Sequence, residues 1–213
     1  MFVIQWDELR DMLLDYDTYI SRNGIPGIKE LVEINVSCPN KLDIKSGSLS
    51  QIIAYNPLEL SRLLESIKSL ELHNINIGLK LSPYIDKILL IQIANIINHY
   101  QQLIKYIVCG NSIPNGMLID INTGNPILSV KTGGISGITN RLIGVSNVYQ
   151  FNDLFHKLDC QNIVIMGCGG IEKANDILEY IKAGAKGVQI GRVLYIEGVS
   201  KLNNIWNNLS SKL

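Results

Sequence analysis

The chain has 213 residues, of which 46% are hydrophobic and 18% charged, and this excludes a disordered or collagen-like protein. Lysine plus arginine and aspartate plus glutamate both number 19, so no net charge attracts nucleic acid or an acidic membrane surface. No apolar run is long enough for a membrane span, and the cysteine and histidine spacings indicate neither a disulfide framework nor a zinc site. We therefore expect a single cytoplasmic domain over residues 1–213, without nucleic acid, membrane or metal as a partner.

Short apolar runs alternate with longer segments of helical period, which is typical of repeated βα units around a parallel sheet. Most runs are rich in valine and isoleucine, so we expect strands that are buried on both faces. The predicted strands are residues 2–5, 31–37, 75–81, 106–110, 163–167 and 187–191. The predicted helices are residues 57–72, 86–102, 147–158, 173–183 and 199–213.

Glycines follow the last two predicted strands, in the segment Gly-Cys-Gly-Gly at 167–170 and at Gly191, which precedes Arg192. In a (β/α)8 barrel the loops after the last two strands commonly bind a phosphate through backbone N–H groups, beside a short extra helix. Glycine lets a phosphate approach the main chain, and Arg192 adds a positive charge. The pattern favours a phosphate site, while the alternative is that these glycines only form tight turns between strand and helix.

A third glycine cluster, Lys-Thr-Gly-Gly-Ile-Ser-Gly at 131–137, follows a segment at 126–130 that we interpret as an excursion hairpin. This loop is a candidate to fold over the same phosphate, or else a flexible surface turn. The dinucleotide-binding pattern GxGxxG is absent, which disfavours a dinucleotide ligand.

Polar side chains stand at the end of the predicted strand 31–37. Strand alternation places Asn35 and Ser37 on one face, and Asn35 and Asn40 can hydrogen-bond a planar, amide-bearing substrate. Cys38 lies in the loop between them, either as a catalytic thiol or as a small buried hydrophobic residue.

Two further strand ends carry groups that packing does not require. Lys80 stands inside an apolar strand and needs an anionic partner, which a flavin ring would provide. Asn111 and Ser112 follow the next predicted strand and add hydrogen-bonding groups. Cys109, Cys160 and the three histidines have no such placement, and we assign them to packing or to the surface.

These motifs resemble those of the class 1 dihydroorotate dehydrogenases, most closely the fumarate-using branch, which are flavoproteins with FMN on a (β/α)8 TIM barrel. The match runs in order from about Val32 to the end of the chain. The matching segments are EINVSCPN, GLKLSPYID, NSIPNGMLID, GGISG, MGCGGIE and GVQIGRVLYIEG. The resemblance implies an oxidoreductase that converts dihydroorotate to orotate in pyrimidine biosynthesis.

The resemblance also implies a role for each matching residue. Cys38 would be the base that removes a proton from C5 of dihydroorotate while a hydride leaves C6 for the flavin N5. The substrate would be bound by Asn35, Asn40, Asn111 and Ser112. FMN would be bound by Asn35, Lys80, Gly110, Gly137, Gly169, Gly170, Gly191 and Arg192. Fumarate would be the electron acceptor and a homodimer the assembly.

The chain also departs from the family pattern. The family has about two more βα units before the matched region, so we expect an α/β fold that is an incomplete barrel with about six of its eight strands. Arg192 replaces a small threonine, and the loop at 41–51 lacks the family's Gly-Lys-Pro pattern. Two alternatives therefore stand beside the dehydrogenase. One is a non-catalytic remnant or fragment that retains a phosphate-binding or FMN-binding half-barrel, and the other is an FMN or phosphate barrel enzyme with a different substrate.

Overall fold

The computed structural model describes residues 6–38, 52–160 and 162–210. Its helices are α1 (Trp6–Asn23), α2 (Pro57–Lys68), α3 (Lys87–His99), α4 (Ile138–Lys157), α5 (Ala174–Lys182), α6 (Arg192–Glu197) and α7 (Val199–Ser210). Its strands are β1 (Glu30–Asn35), β2 (Ile75–Leu81), β3 (Ile104–Cys109), β4 (Ile113–Gly116), β5 (Gly133–Ile135), β6 (Val164–Cys168) and β7 (Gly187–Gln189). In this part of the chain no helix has both the length and the apolar character needed to cross a membrane.

Five strands form one sheet in the order β1-β2-β3-β6-β7, and the pairs β1–β2 and β6–β7 are parallel. Each of these five was predicted, and every bound lies within two residues of the expected one. The predicted strand at 2–5 lies outside the described residues. β4 and β5 pair separately as an antiparallel ribbon, and the segment at 126–130 lies in the excursion between them.

The chain divides into two compact units. Unit 1 takes its residues from 1–81, 86–107 and 154–164, and unit 2 from 82–85, 108–153 and 165–213. Unit 1 therefore contains α1, α2, α3, β1, β2 and most of β3. Unit 2 contains the β4–β5 ribbon, most of α4 and β6, and the elements from α5 to α7. The single domain expected over residues 1–213 stays a prediction.

The core of unit 1 follows from strand and helix periodicity. β2 buries alternate residues at Ile75, Ile77, Leu79 and Leu81, while α2 and α3 each bury one apolar stripe. The Asn56 side chain caps α2 by accepting the N–H of Glu59 at 3.2 Å.

The opposite face of β2 is polar, and Gly78 leaves space there for the ring of Tyr106 from β3. Glu33 pairs with Gly78 in the β1–β2 register and hydrogen-bonds Tyr106. Burial, together with the Glu33 charge and this hydrogen bond, raises the pKa of Tyr106 to about 12. The Tyr106 hydroxyl therefore stays protonated at neutral pH.

β1 differs from the expected strand buried on both faces, because most of its residues are exposed or only half-buried. It is the first strand in the sheet order, so among the described residues it has a strand partner on one side only. It also ends at Asn35, before Ser37, and the expected shared face of Asn35 and Ser37 is wrong: Asn35 is exposed, whereas Ser37 is buried in the following turn.

Three helices differ from the sequence prediction. α1 and α6 were not predicted, and α4 begins at Ile138 rather than at Asn147. A glycine at 144 weakens helical propensity, which explains the late predicted start. In the structure Gly144 lies directly against the Tyr180 hydroxyl, so a residue without a side chain is required there and the helix continues through it.

Asp17 joins α1 to the beginning of β2. Its Oδ1 accepts the backbone N–H groups of His73 at 3.1 Å, Asn74 at 2.7 Å and Ile75 at 3.1 Å. The Asn74 side chain donates a further hydrogen bond, to Oδ2 at 3.0 Å. Burial acts to raise the pKa of Asp17, but these hydrogen bonds outweigh it, so the pKa lies below the ordinary value of 3.8.

We expect Asp17→Ala to lower the free energy of unfolding by about 1–2 kcal/mol at pH 7, since it removes the acceptor for these N–H groups. Because the pKa of folded Asp17 is depressed, its contribution is complete above the unfolded pKa near 3.8 and is lost as the pH falls through the folded value. Urea unfolding of both proteins between pH 7 and pH 3 measures this difference. Asp15→Ala, on the exposed side of the same helix, is the control, and an equal loss in both variants would contradict the assignment.

Candidate functional site

In unit 1 the ends of β1 and β2 place two predicted site residues beside each other. Asn35 and Lys80 are register partners in this parallel pair, so both side chains lie on the same face of the sheet. Asn35 is exposed and Lys80 half-buried. The Asn35 side-chain oxygen accepts the N–H of Ser37 at 3.0 Å, which forms the turn that leads to Cys38.

Cys38 is half-buried, and its thiol therefore keeps some access to solvent. Cys109 and Cys160 are buried, and burial raises the pKa of both thiols, in agreement with their assignment to packing. Asn40 and the loop at 41–51 lie outside the described residues.

In unit 2 the end of β3 leads into Gly110, Asn111 and Ser112. A Cβ on Gly110 would lie 3.5 Å from the backbone nitrogen of Pro83, so the two segments are in close contact. The Asn111 side-chain oxygen accepts the N–H of Ser112 at 2.8 Å. Ser112 faces Gly134 of β5, where any side chain would collide with the serine hydroxyl. The glycine loop at 131–137 thus lies against Ser112 of the predicted substrate-binding segment.

Asn140, which the sequence analysis did not select, connects this segment to the glycine loop after β6. It is buried, and its Nδ2 donates to the Asn111 carbonyl at 2.7 Å. A Cβ on Gly169 would lie 3.0 Å from the same nitrogen. Asn140 lies three residues after the GGISG motif, and nothing local in the sequence marks it for this role.

Two predicted glycine loops meet at Gly137 and Gly170. A Cβ on Gly170 would lie 2.6 Å from the Gly137 carbonyl oxygen and 2.7 Å from the Arg141 Cβ. Gly137, Gly169 and Gly170 have φ values of +96°, +118° and +62°, a region that side chains disfavour. The approach of the two main chains therefore requires glycine. We call Gly137, Gly169 and Gly170 the glycine cluster.

Arg192 brings a positive charge to the glycine cluster. Its Cδ would lie 3.3 Å from a Cβ on Gly137, and its guanidinium pairs with Glu172 at 3.1 Å. The arginine and glutamate side chains are 49% and 40% exposed, so solvent screens this pair and it contributes little stability. The Glu172 carboxylate therefore holds the guanidinium beside Gly137 only weakly. A Cβ on Gly191 would meet only open space.

A buried ion pair joins α4 and α5, the two helices that follow these glycine loops. Arg141, in the first turn of α4, pairs with Asp176 of α5. The other oxygen of Asp176 accepts the N–H groups of Glu172 at 2.9 Å and Lys173 at 3.1 Å. Within the described ranges the Arg141 Nε–H is buried and has no hydrogen-bond partner.

The family model for dihydroorotate dehydrogenase matches residues 11–213. A probable dihydroorotate dehydrogenase A (fumarate) from Streptococcus pneumoniae is 34% identical over 183 residues, or 85% of this chain and 54% of that protein. The catalytic subunit of dihydroorotate dehydrogenase B (NAD(+)) from Bacillus pumilus is 30% identical over 168 residues, or 78% of this chain and 47% of that protein. The chain thus spans about half the length of the curated relatives it matches.

Among solved structures, a dihydroorotate dehydrogenase from Eimeria tenella in complex with ferulenol superposes with a TM-score of 0.71 at 15% identity. The superposition covers 99% of this chain and 55% of that one. It confirms the predicted α/β fold of the incomplete (β/α)8 barrel type. Because the family model also matches nearly the whole sequence, the chain belongs to the dihydroorotate dehydrogenase family.

Proposed function

We propose that this chain catalyses the FMN-dependent oxidation of dihydroorotate to orotate in pyrimidine biosynthesis. The observation that carries the proposal is the family match over residues 11–213, which includes every strand end where the sequence analysis found polar groups. The register pairing of Asn35 with Lys80 and the meeting of Gly137 with Gly170 support it independently, because neither arrangement is needed to pack a core.

The groups around the glycine cluster fit a phosphate monoester. Gly137, Gly169 and Gly170 bring together main-chain segments with positive φ, and the half-exposed Arg192 lies beside Gly137. Main-chain N–H groups and a cation together suit a phosphate dianion. We therefore assign the FMN phosphate to Gly137, Gly169, Gly170, Gly191 and Arg192.

Bound FMN supplies the two-electron acceptor for the oxidation. Lys80 contributes a positive charge that stabilises negative charge on the ring system, and Asn35 beside it contributes hydrogen bonds. Gly110, which has no side chain, allows the ring to lie against the main chain.

Cys38 is the base that takes the C5 proton of dihydroorotate. Cys38 and Cys168 are half-buried whereas Cys109 and Cys160 are buried, and of the two half-buried thiols only Cys38 stands in the motif EINVSCPN that carries the resemblance at this strand end. Asn35, Asn40, Asn111 and Ser112 hold the pyrimidine and its carboxylate through amide and hydroxyl hydrogen bonds. Cys38 acts after losing its own proton: the C5–H bond breaks as the S–H bond forms, and the hydride that leaves C6 passes to the flavin.

The proposal includes fumarate as the electron acceptor and a homodimer as the assembly. The name of the Streptococcus pneumoniae relative supports fumarate, whereas the Bacillus pumilus relative is named for NAD(+). Reoxidation of the reduced protein by fumarate or by NAD(+) separates the two acceptors.

A second candidate function is a phosphate-binding or FMN-binding module without catalysis. The observation that favours it is that the glycine cluster and Arg192 all belong to unit 2. Such a protein would bind FMN with no response of the flavin to dihydroorotate, so the visible spectrum distinguishes the candidates.

The purified chain should show a flavin spectrum that bleaches when dihydroorotate is added without oxygen. Cys38→Ser should retain FMN but slow the bleaching by about 10²–10⁴-fold, with partial recovery at high pH, because a serine hydroxyl loses its proton far less readily than a thiol and so supplies much less of the anionic base. Stopped-flow absorbance measures the rate. Cys160→Ala, which removes a buried thiol, is the control, and unchanged bleaching in Cys38→Ser would remove Cys38 from the mechanism.

Arg192→Gln should weaken FMN binding about tenfold and leave riboflavin binding unchanged, because only FMN carries the phosphate. Glu172→Gln should act in the opposite direction, since it frees the Arg192 guanidinium from its carboxylate partner. Isothermal titration with both ligands measures the two affinities.

Arg62→Gln is the matched control for these variants, because Arg62 forms an exposed ion pair with Glu59 at 2.7 Å in unit 1. Equal effects of Arg192→Gln on FMN and riboflavin would contradict the assignment of the phosphate to Arg192.

A further inference from the structure

Tyr180 of α5 has an unusual hydrogen-bonding arrangement at the glycine cluster. Its side chain is fully buried, and its hydroxyl lies 3.0 Å from the carbonyl oxygen of Cys168 and 2.9 Å from that of Gly169. A tyrosine hydroxyl has a single proton to donate, so the two carbonyls share one donor. Cys168 is the last residue of β6, and Gly169 begins the loop between β6 and α5 that also carries Gly170.

The ring of Tyr180 is held in a slot formed by two other glycines. A Cβ on Gly144 of α4 would collide with the Tyr180 hydroxyl, and a Cβ on Gly167 of β6 would collide with the ring. With main chain on both sides, the ring has little freedom to shift, and its hydroxyl is fixed with it. Burial, followed by the charges of nearby thiols, raises the pKa of Tyr180, so the hydroxyl remains a donor at physiological pH.

Because a trans peptide is planar, the hydrogen bonds of Tyr180 to two carbonyls also fix the direction of two N–H groups. The C=O and the N–H of one trans peptide point in opposite directions, and the described chain contains no cis peptide. When the carbonyls of Cys168 and Gly169 both point toward Tyr180, the N–H groups of Gly169 and Gly170 point away from it. In an extended strand successive N–H groups alternate sides, whereas the positive φ values of Gly169 and Gly170 let two in succession converge.

We propose that Tyr180 is a positioning residue for the phosphate site, acting through the carbonyls of Cys168 and Gly169 to aim the N–H groups of Gly169 and Gly170 at a phosphate monoester. The inference rests on the proposed function and deepens it, because it names a side chain that never touches the ligand. It also explains why a buried aromatic residue of α5 has its polar end against the loop instead of within the apolar core.

The test compares Tyr180→Phe with the parent chain by isothermal titration with FMN and with riboflavin. Phenylalanine fills the same slot and removes only the hydroxyl, so the loop loses its anchor while the packing stays. We expect FMN affinity to fall about tenfold and riboflavin affinity to stay the same, as the affected N–H groups meet only the phosphate.

Tyr100→Phe is the matched control. Tyr100 is also buried, and its hydroxyl donates to Glu65 at 3.0 Å and to the Ser61 carbonyl at 3.3 Å, but it belongs to unit 1. A general loss of stability would affect both variants and both ligands alike. An unchanged ratio of FMN to riboflavin affinity in Tyr180→Phe would overturn the proposal.

A second measurement needs no variant. In the NMR spectrum of the parent chain, added FMN or inorganic phosphate should shift the amide protons of Gly169 and Gly170 downfield, and unmoved resonances in the presence of bound FMN would overturn the proposal. A parent chain that binds no FMN contradicts the proposed function itself, whereas binding without a selective effect of Tyr180→Phe contradicts only the role of Tyr180.

Discussion

The contact between the main chains of Gly137 and Gly170 is the constraint on which the rest of unit 2 depends. No Cβ fits at Gly170, so the loops before α4 and after β6 approach more closely than side chains allow. The buried pair of Arg141 and Asp176 joins the helices that follow these loops, and Asp176 also accepts two N–H groups of the second loop. Removing one member of a buried pair leaves an uncompensated charge, so the approach of the loops is strongly maintained.

Unit 1 depends on a simpler constraint, which is strand register. Parallel pairing of β1 with β2 places Asn35 opposite Lys80, and a slip of one residue would turn Lys80 to the apolar side. Asp17 accepts the N–H groups of Ile75, the first residue of β2, and of the two residues before it, and so fixes where the strand starts. The contacts of Asp17 at the start of β2 therefore help to set the position of Lys80 near the end of that strand.

The sequence predicted those features that depend on local pattern. β2 was predicted with both bounds, because alternating buried residues mark its length, and the glycine loops were found because glycine itself is the signal. Asn140, Arg141 and Tyr180 were missed because their roles depend on residues distant in the chain. In the sequence, for instance, Tyr180 is an ordinary apolar position of an amphipathic helix, and only the structure shows Gly144 and Gly167 beside it. The resemblance identified the family, but the pairing of Arg192 with Glu172 needed coordinates.

The slot that Gly144 and Gly167 form around Tyr180 has an evolutionary consequence. A side chain at either glycine position collides with the tyrosine, while a smaller residue in place of the tyrosine leaves a cavity between two main chains. A side chain at either glycine therefore collides for as long as the tyrosine is present, and loss of the tyrosine is itself costly. The three positions form an epistatic set, in which replacement of the aromatic ring must precede any gain of a side chain at the glycines.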